Sequence, residues 1–193
     1  MAGSGRPCGL IMTPGRLRLR QWERMLVFYL HIAILMALAG LLIAVAIGDI
    51  RHLRIPNGLV LAILGLYAPY AASAHMLGIA AGAWWTPLAI LAAAFVLGLA
   101  IFRTGVMGGG DIKLLIVLAP WAGLALLPAF VIAVALGGGL VAALVLVREH
   151  CVRRQRPDGA SGALMHAPVP YGVAIAAGGL YVTSQLILNA LAR

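Results

Sequence analysis

The residues most able to do chemistry in this chain are two aspartates, Asp49 and Asp111. Asp49 closes a long apolar run, and Asp111 follows three glycines in Met107-Gly108-Gly109-Gly110-Asp111-Ile112-Lys113-Leu114-Leu115. The 193 residues include only five acids, and these two stand at the edges of membrane-like segments. A charge inside a bilayer costs about 2.5–3.5 kcal/mol on insertion scales, so acids in such places are rare and usually functional. Two neighbouring carboxylates resist ionising together and share one proton. The ionised member can take a proton from water while the protonated member donates to a carbonyl oxygen, the division of labour of aspartyl proteolysis. Glycines before Asp111 allow an extended backbone to approach the acid, because no Cβ intervenes. Gly109 and Gly110 also offer backbone N–H groups. Each acid has a plainer reading. Asp111 suits the N-cap of a following helix. Asp49 suits a pairing with Arg51 or Arg54, although a helix C-terminus disfavours negative charge by about 0.3–1 kcal/mol.

The elements that position the pair follow from composition. The chain is 63% hydrophobic and 10% charged, with a mean hydropathy of +1.04. A soluble domain is roughly 45–50% apolar and about 25% charged. The expectation is an all-α, polytopic membrane protein with about six transmembrane helices, arranged as a basic flexible tail over 1–24 and a membrane domain over 25–193. Apolar spans are expected at 25–48, at 59–76 (interrupted by Gly65 and Pro69), at 84–102 and at 169–191. The stretch 112–147 would make a single helix of about 54 Å at 1.5 Å per residue, more than a bilayer needs. Two spans with a tight turn between Pro120 and Pro128 fit it better.

An even number of spans, the second and third, separates Asp49 from Asp111, so both acids return to one face. That face carries Arg51, Arg54, Arg103, Lys113 and the arginines of the 148–168 loop, whereas the loops near 77–83 and 120–128 carry no lysine or arginine. Lysine and arginine concentrate in cytoplasmic loops, which puts the acids on the cytoplasmic side. The basic tail then falls on the opposite side, against the rule. The net charge of +9 sits at span ends without aromatic interleaving, which argues against nucleic acid as a partner. Cys8 and Cys151 form no Cys-x-x-Cys pair, and no His/Cys ligand spacing is present. Neither a metal nor another cofactor is expected.

Three segments carry a family resemblance. Asp49-Ile50-Arg51-His52-Leu53-Arg54-Ile55-Pro56-Asn57, Gly108-Gly109-Gly110-Asp111-Ile112-Lys113-Leu114-Leu115 and Val169-Pro170-Tyr171-Gly172-Val173-Ala174-Ile175-Ala176 resemble, in order and spacing, the hallmark segments of type IV prepilin peptidases. These are intramembrane aspartyl proteases of the GxGD kind. The resemblance implies that Asp49 and Asp111 are the catalytic pair. It also implies prepilin or pseudopilin substrates, cut at the cytoplasmic face of the bacterial inner membrane just before their hydrophobic helix, with pilus assembly machinery as a further partner. Longer relatives add an N-methylating domain, often with a cysteine tetrad. The present chain looks like the short Flp/Tad-type branch, to which methyl transfer does not carry over.

Other polar residues on that face have two readings each. Lys113 either supports a nearby carboxylate or substrate, or snorkels at the interface. Tyr171 either hydrogen-bonds a carboxylate or sits in an aromatic belt. His52, His150 and His166 read as interfacial residues, and Gly137-Gly138-Gly139 as a site of close helix packing. Two rivals from other classes stay open. One is a small transporter or channel subunit with the aspartates as an ion relay, and the other is a non-catalytic assembly factor.

Overall fold

The computed structural model describes residues 14–53, 55–80, 83–105, 107–154 and 171–192, with backbone alone for 14–20 and 148–154. Residues 1–13 of the basic tail, Arg54, and the 155–170 loop with Arg156, His166, Val169 and Pro170 lie outside the described residues. Among the described residues, five helices make up the bundle: α1 (Pro14–His52), α2 (Asn57–Met76), α3 (Thr86–Arg103), α4 (Gly109–Arg154) and α5 (Tyr171–Leu191). All five are long and apolar enough to cross a membrane. Their large outward side chains, among them Leu61, Phe95, Val96, Leu136 and Leu140, are exposed. So continuous an apolar exterior suits contact with lipid rather than water.

The expectation of about six spans is close, and the difference lies in α4. Its 46 residues would extend about 69 Å if straight. Instead the helix breaks at Gly123, whose φ of 57° and ψ of 179° fall in backbone space that is essentially reserved for glycine. Packing against α5 shows that the two arms run antiparallel. Near the start of α5, Gly110 of the first arm shares Ile55 with Gly172, and Gly138 of the second arm lies against the Tyr171 ring. Deeper along α5, Leu118 of the first arm meets Gly179, while Phe130 and Val134 of the second meet Gly178. The turn thus falls between Pro120 and Pro128, as expected. Pro120 adds to the break, since it offers no N–H to the carbonyl four residues back.

Two boundaries differ from expectation. Helix α1 begins at Pro14, so part of the basic tail is helical; proline suits a first helical turn, and the Arg, Leu, Gln and Glu residues that follow are good helix formers. Helix α2 runs unbroken through Gly65 and Pro69. In lipid, an interrupted helix would leave backbone groups without water to bond, so the helix persists through residues that would break it elsewhere.

Helix α5 is the central strut. Its buried face is built largely from Gly172, Ala174, Ala176, Gly178 and Gly179, small residues that let neighbouring helices approach closely. A Cβ added to Gly179 would sit 3.0 Å from Leu42 of α1 and 3.2 Å from Leu118 of α4. Helix α3 docks on α4 in the same way, with Gly98 against Ile112 and Ile116. Away from the acids, α1 and α2 are tied by buried His31, whose Nδ1 lies 2.8 Å from Ser73 Oγ. The Ser73 hydroxyl donates to the Tyr70 carbonyl, so His31 Nδ1 supplies the proton of their bond. Tyr70 stacks on His31 and also packs on Trp121 of α4.

This packing separates two glycine classes. Gly178→Val would force a branched side chain into Val134 and Phe130, and overpacking of this kind costs about 1–3 kcal/mol. Gly139 has nothing within 4 Å of a built Cβ, and alanine is the better helix former. Thermal unfolding of detergent-solubilised protein should show a lowered midpoint for Gly178→Val and an unchanged or raised one for Gly139→Ala.

Candidate functional site

Asp49 lies in the last turn of α1 and is 4% exposed. Immediately after the helix, Leu53 adopts a left-handed φ of 52°, and its N–H bonds the Asp49 carbonyl at 2.9 Å. This is the αL way of ending a helix, usually given to glycine. The turn sends the chain back so that Ile55 and Pro56 return toward the bundle. Pro56 holds φ −62° and ψ 133° ahead of α2.

The Asp49 carboxylate presses on the start of α5. A Cβ built on Gly172 would stand 2.7 Å from Asp49 Oδ2 and 2.8 Å from its Cγ, so no side chain larger than hydrogen fits there without movement. The backbone N–H groups of Gly172 and Val173 face the carboxylate, although Oδ2 itself reaches no partner with full hydrogen-bond geometry. The sequence places Asp49 at the unfavourable end of its own helix. The fold compensates by adding the positive end of another, α5.

Asp111 occupies the third position of α4, inside its first turn rather than at the cap. The cap position falls to Gly108, whose carbonyl accepts from Ile112 N–H at 3.2 Å. The Asp111 carboxylate folds back over this glycine, 3.1 Å from where a Cβ would stand. Asp111 thus lies at the positive end of its own helix, and the charge of Asp49 acts on it. Two carboxylates, each against a helix N-terminus, face one another's field at one end of the bundle.

The remaining expected residues divide. All three glycines turn toward protein: Gly108 toward Asp111, Gly109 toward Phe102 at 3.4 Å, and Gly110 toward Ile55 at 3.4 Å. Lys113 Nζ donates to Asn57 Oδ1 at 3.2 Å, joining the starts of α4 and α2. The Tyr171 ring lies against Gly138, 3.2 Å from a built Cβ. Gly137 meets Ala174 at 3.2 Å, the close packing expected of the glycine triplet. Gly172 and Ile55 emerge as site residues that sequence reasoning did not single out. Both lie in the motif segments, but only the fold reveals what they touch. Among the described residues, no three His, Cys, Asp or Glu side chains converge.

Residues 36–143 match the type IV leader peptidase family. The chain is 32% identical over 143 residues to the prepilin leader peptidase/N-methyltransferase of Bacillus subtilis (strain 168), a match covering 73% of this chain and 51% of that protein. The chain therefore spans about half the length of this curated relative. No solved structure matches it.

The turn after Asp49 can be tested on its own. A left-handed conformation costs a residue with a Cβ about 1–2 kcal/mol, and a β-branched residue tolerates it less well than leucine. Leu53→Gly is expected to hold or raise the unfolding midpoint in detergent, despite the extra chain entropy of glycine, and Leu53→Val to lower it.

Proposed function

The chain belongs to the type IV leader peptidase family, and from that premise we propose that it is an aspartic endopeptidase that removes the leader peptides of prepilins or pseudopilins. The observation that carries this reading is the pair formed by Asp49 and Asp111: two carboxylates at one end of the bundle, each met by a helix N-terminus. The environments of the two suggest separate roles. Asp49 has the N–H groups of Gly172 and Val173 before it, and these dipoles offset part of the cost of burying its charge. It is the general base. Asp111 carries the shared proton and is the general acid.

In the first step a water oxygen attacks the scissile carbonyl carbon while its proton passes to Asp49. The Asp111 proton moves to the carbonyl oxygen, giving a gem-diol. In the second step the proton now on Asp49 passes to the leaving nitrogen, and the C–N bond breaks. One gem-diol hydroxyl returns its proton to Asp111, which restores both acids. Lys113 is engaged by Asn57, so its part is to hold the starts of α2 and α4 together beside the acids.

The charge distribution supports a cytoplasmic site. Arg51, Arg103 and Lys113 sit at the acid-bearing end, and the exposed Trp84 and Trp85 at the other. Under the positive-inside rule the acids face the cytoplasm of a bacterial inner membrane, where a prepilin leader and its assembly machinery are accessible. An ion relay is usually placed near the bilayer midplane, whereas both acids here lie at the edge.

Two outcomes are expected in cells co-expressing a prepilin. Asp49→Asn and Asp111→Asn should each reduce leader removal by about 10²–10⁴-fold, the usual contribution of acid–base catalysis, with unchanged protein levels. Maturation at the wild-type rate in either variant would rule out the pair. A reporter fused after α5 should report the periplasm, since α5 leads away from the acids.

A further inference from the structure

We infer that Ile55 is a positioning residue whose side chain, wedged between Gly110 of α4 and Gly172 of α5, sets the separation of Asp49 and Asp111. The inference rests on the proteolytic reading above. A Cβ built on Gly110 lies 3.4 Å from Ile55 Cβ and 3.8 Å from both Cγ1 and the backbone nitrogen. At the other end of the same side chain, Ile55 Cδ1 lies 3.1 Å from a Cβ built on Gly172. The isoleucine therefore spans the gap along its length. Gly110 immediately precedes Asp111, and Gly172 is the residue against which Asp49 presses. One aliphatic side chain thus stands between the helix start that presents Asp111 and the helix start against which Asp49 presses.

Several features make this spacer stiff. Isoleucine is restricted at χ1 by its branched Cβ. The proline that follows confines the Ile55 backbone to extended conformations. The left-handed turn at Leu53 fixes the direction from which the residue enters. Ile55 also packs against the buried core of the bundle, so its position is held from behind. Glycine on both sides completes the fit, because a methyl at Gly172 would meet Ile55 Cδ1 and Asp49 together.

The consequence is electrostatic as well as steric. Two coupled carboxylates lose their protons in two steps, and the interval between the steps grows with their interaction. Shortening Ile55 opens a gap between Gly110 and Gly172 that water can enter, and water at that position screens the interaction. Among the described side chains, the other titratable groups at this end are Arg51 and His52 of α1, Arg103 of α3, Lys113 of α4 and Tyr171 of α5. Arg51, His52 and Arg103 are exposed, Lys113 is bonded to Asn57, and the Tyr171 ring rests on Gly138.

The test is leader cleavage from a purified prepilin by detergent-solubilised wild type, Ile55→Leu, Ile55→Val and Ile55→Ala, followed as kcat and KM across pH. Asp49→Asn and Asp111→Asn serve as controls. Ile55→Ala should narrow the bell-shaped profile of kcat and lower its maximum, by up to about 10²-fold for a misplacement near 1 Å, with KM nearly unchanged. Ile55→Val, which loses only Cδ1, should fall between, and Ile55→Leu should restore most of the width. If Ile55→Ala does not fold, the Val and Leu profiles carry the comparison. A wild-type profile width in the shortened variants, or a loss confined to KM, would overturn the spacer role while leaving the acids in place. Full activity in either Asn variant would instead overturn the proteolytic reading itself.

Discussion

A carboxylate removed from water at the edge of a bilayer has to be met by fixed positive charge or by a proton, and most of the arrangement at this end of the bundle answers that demand. For Asp49 the charge comes from backbone: the first N–H groups of α5 face it, and the absence of a side chain at Gly172 lets them approach. For Asp111 it comes from the first turn of α4, over Gly108. Helix ends of this kind stabilise negative charge by about 0.3–1 kcal/mol when exposed, and more where partly buried. Among the described side chains, no arginine or lysine is recruited for the purpose; Lys113 bonds Asn57 instead. A backbone dipole can meet a carboxylate without a tight ion pair, which suits a group proposed to gain and lose protons.

The rest of the fold can be understood as holding two helix starts side by side. Helix α5 does this from the centre, with small residues that bring α1 and both arms of α4 within side-chain contact. The reversal at Gly123 returns the second arm of α4 to the level of the acids, where Gly138 supports Tyr171. The turn at Leu53 brings Ile55 back between α4 and α5, and the Lys113–Asn57 bond joins α4 to α2. Far from this end, the His31, Ser73, Tyr70 and Trp121 contacts link α1, α2 and α4. The two ends of the bundle therefore have different tasks, one polar and strained, the other aromatic and closely packed.

Much of this was legible in the sequence because lipid imposes simple rules. Spans are long and apolar, charges gather at their ends, and an even number of crossings returns the chain to the same face. That logic correctly brought Asp49 and Asp111 to one end and located the turn inside the 112–147 run. It did not reveal which helix end meets which acid, because that depends on packing between segments more than a hundred residues apart, as with Asp49 and Gly172. It treated Pro69 as an interruption, where the bilayer's intolerance of unpaired backbone keeps α2 intact. It offered capping as the plainer reading of Asp111, whereas Gly108 holds that position and the Asp111 carboxylate turns back toward the cap. Gly172 and Ile55 were visible as motif letters, yet their use as a contact surface and a spacer exists only in three dimensions.

The central claim is that Asp49 and Asp111 act as one unit at a single end of the bundle. The most direct test replaces both with cysteine, in a chain whose Cys8 and Cys151 have been changed to serine, and applies a short thiol-specific crosslinker to native membranes. An intramolecular crosslink between positions 49 and 111, lost when the membranes are first dissolved in denaturant, is the predicted result. A folded, membrane-inserted protein that forms no such crosslink, while both thiols remain reactive to a small monofunctional reagent, would contradict the account.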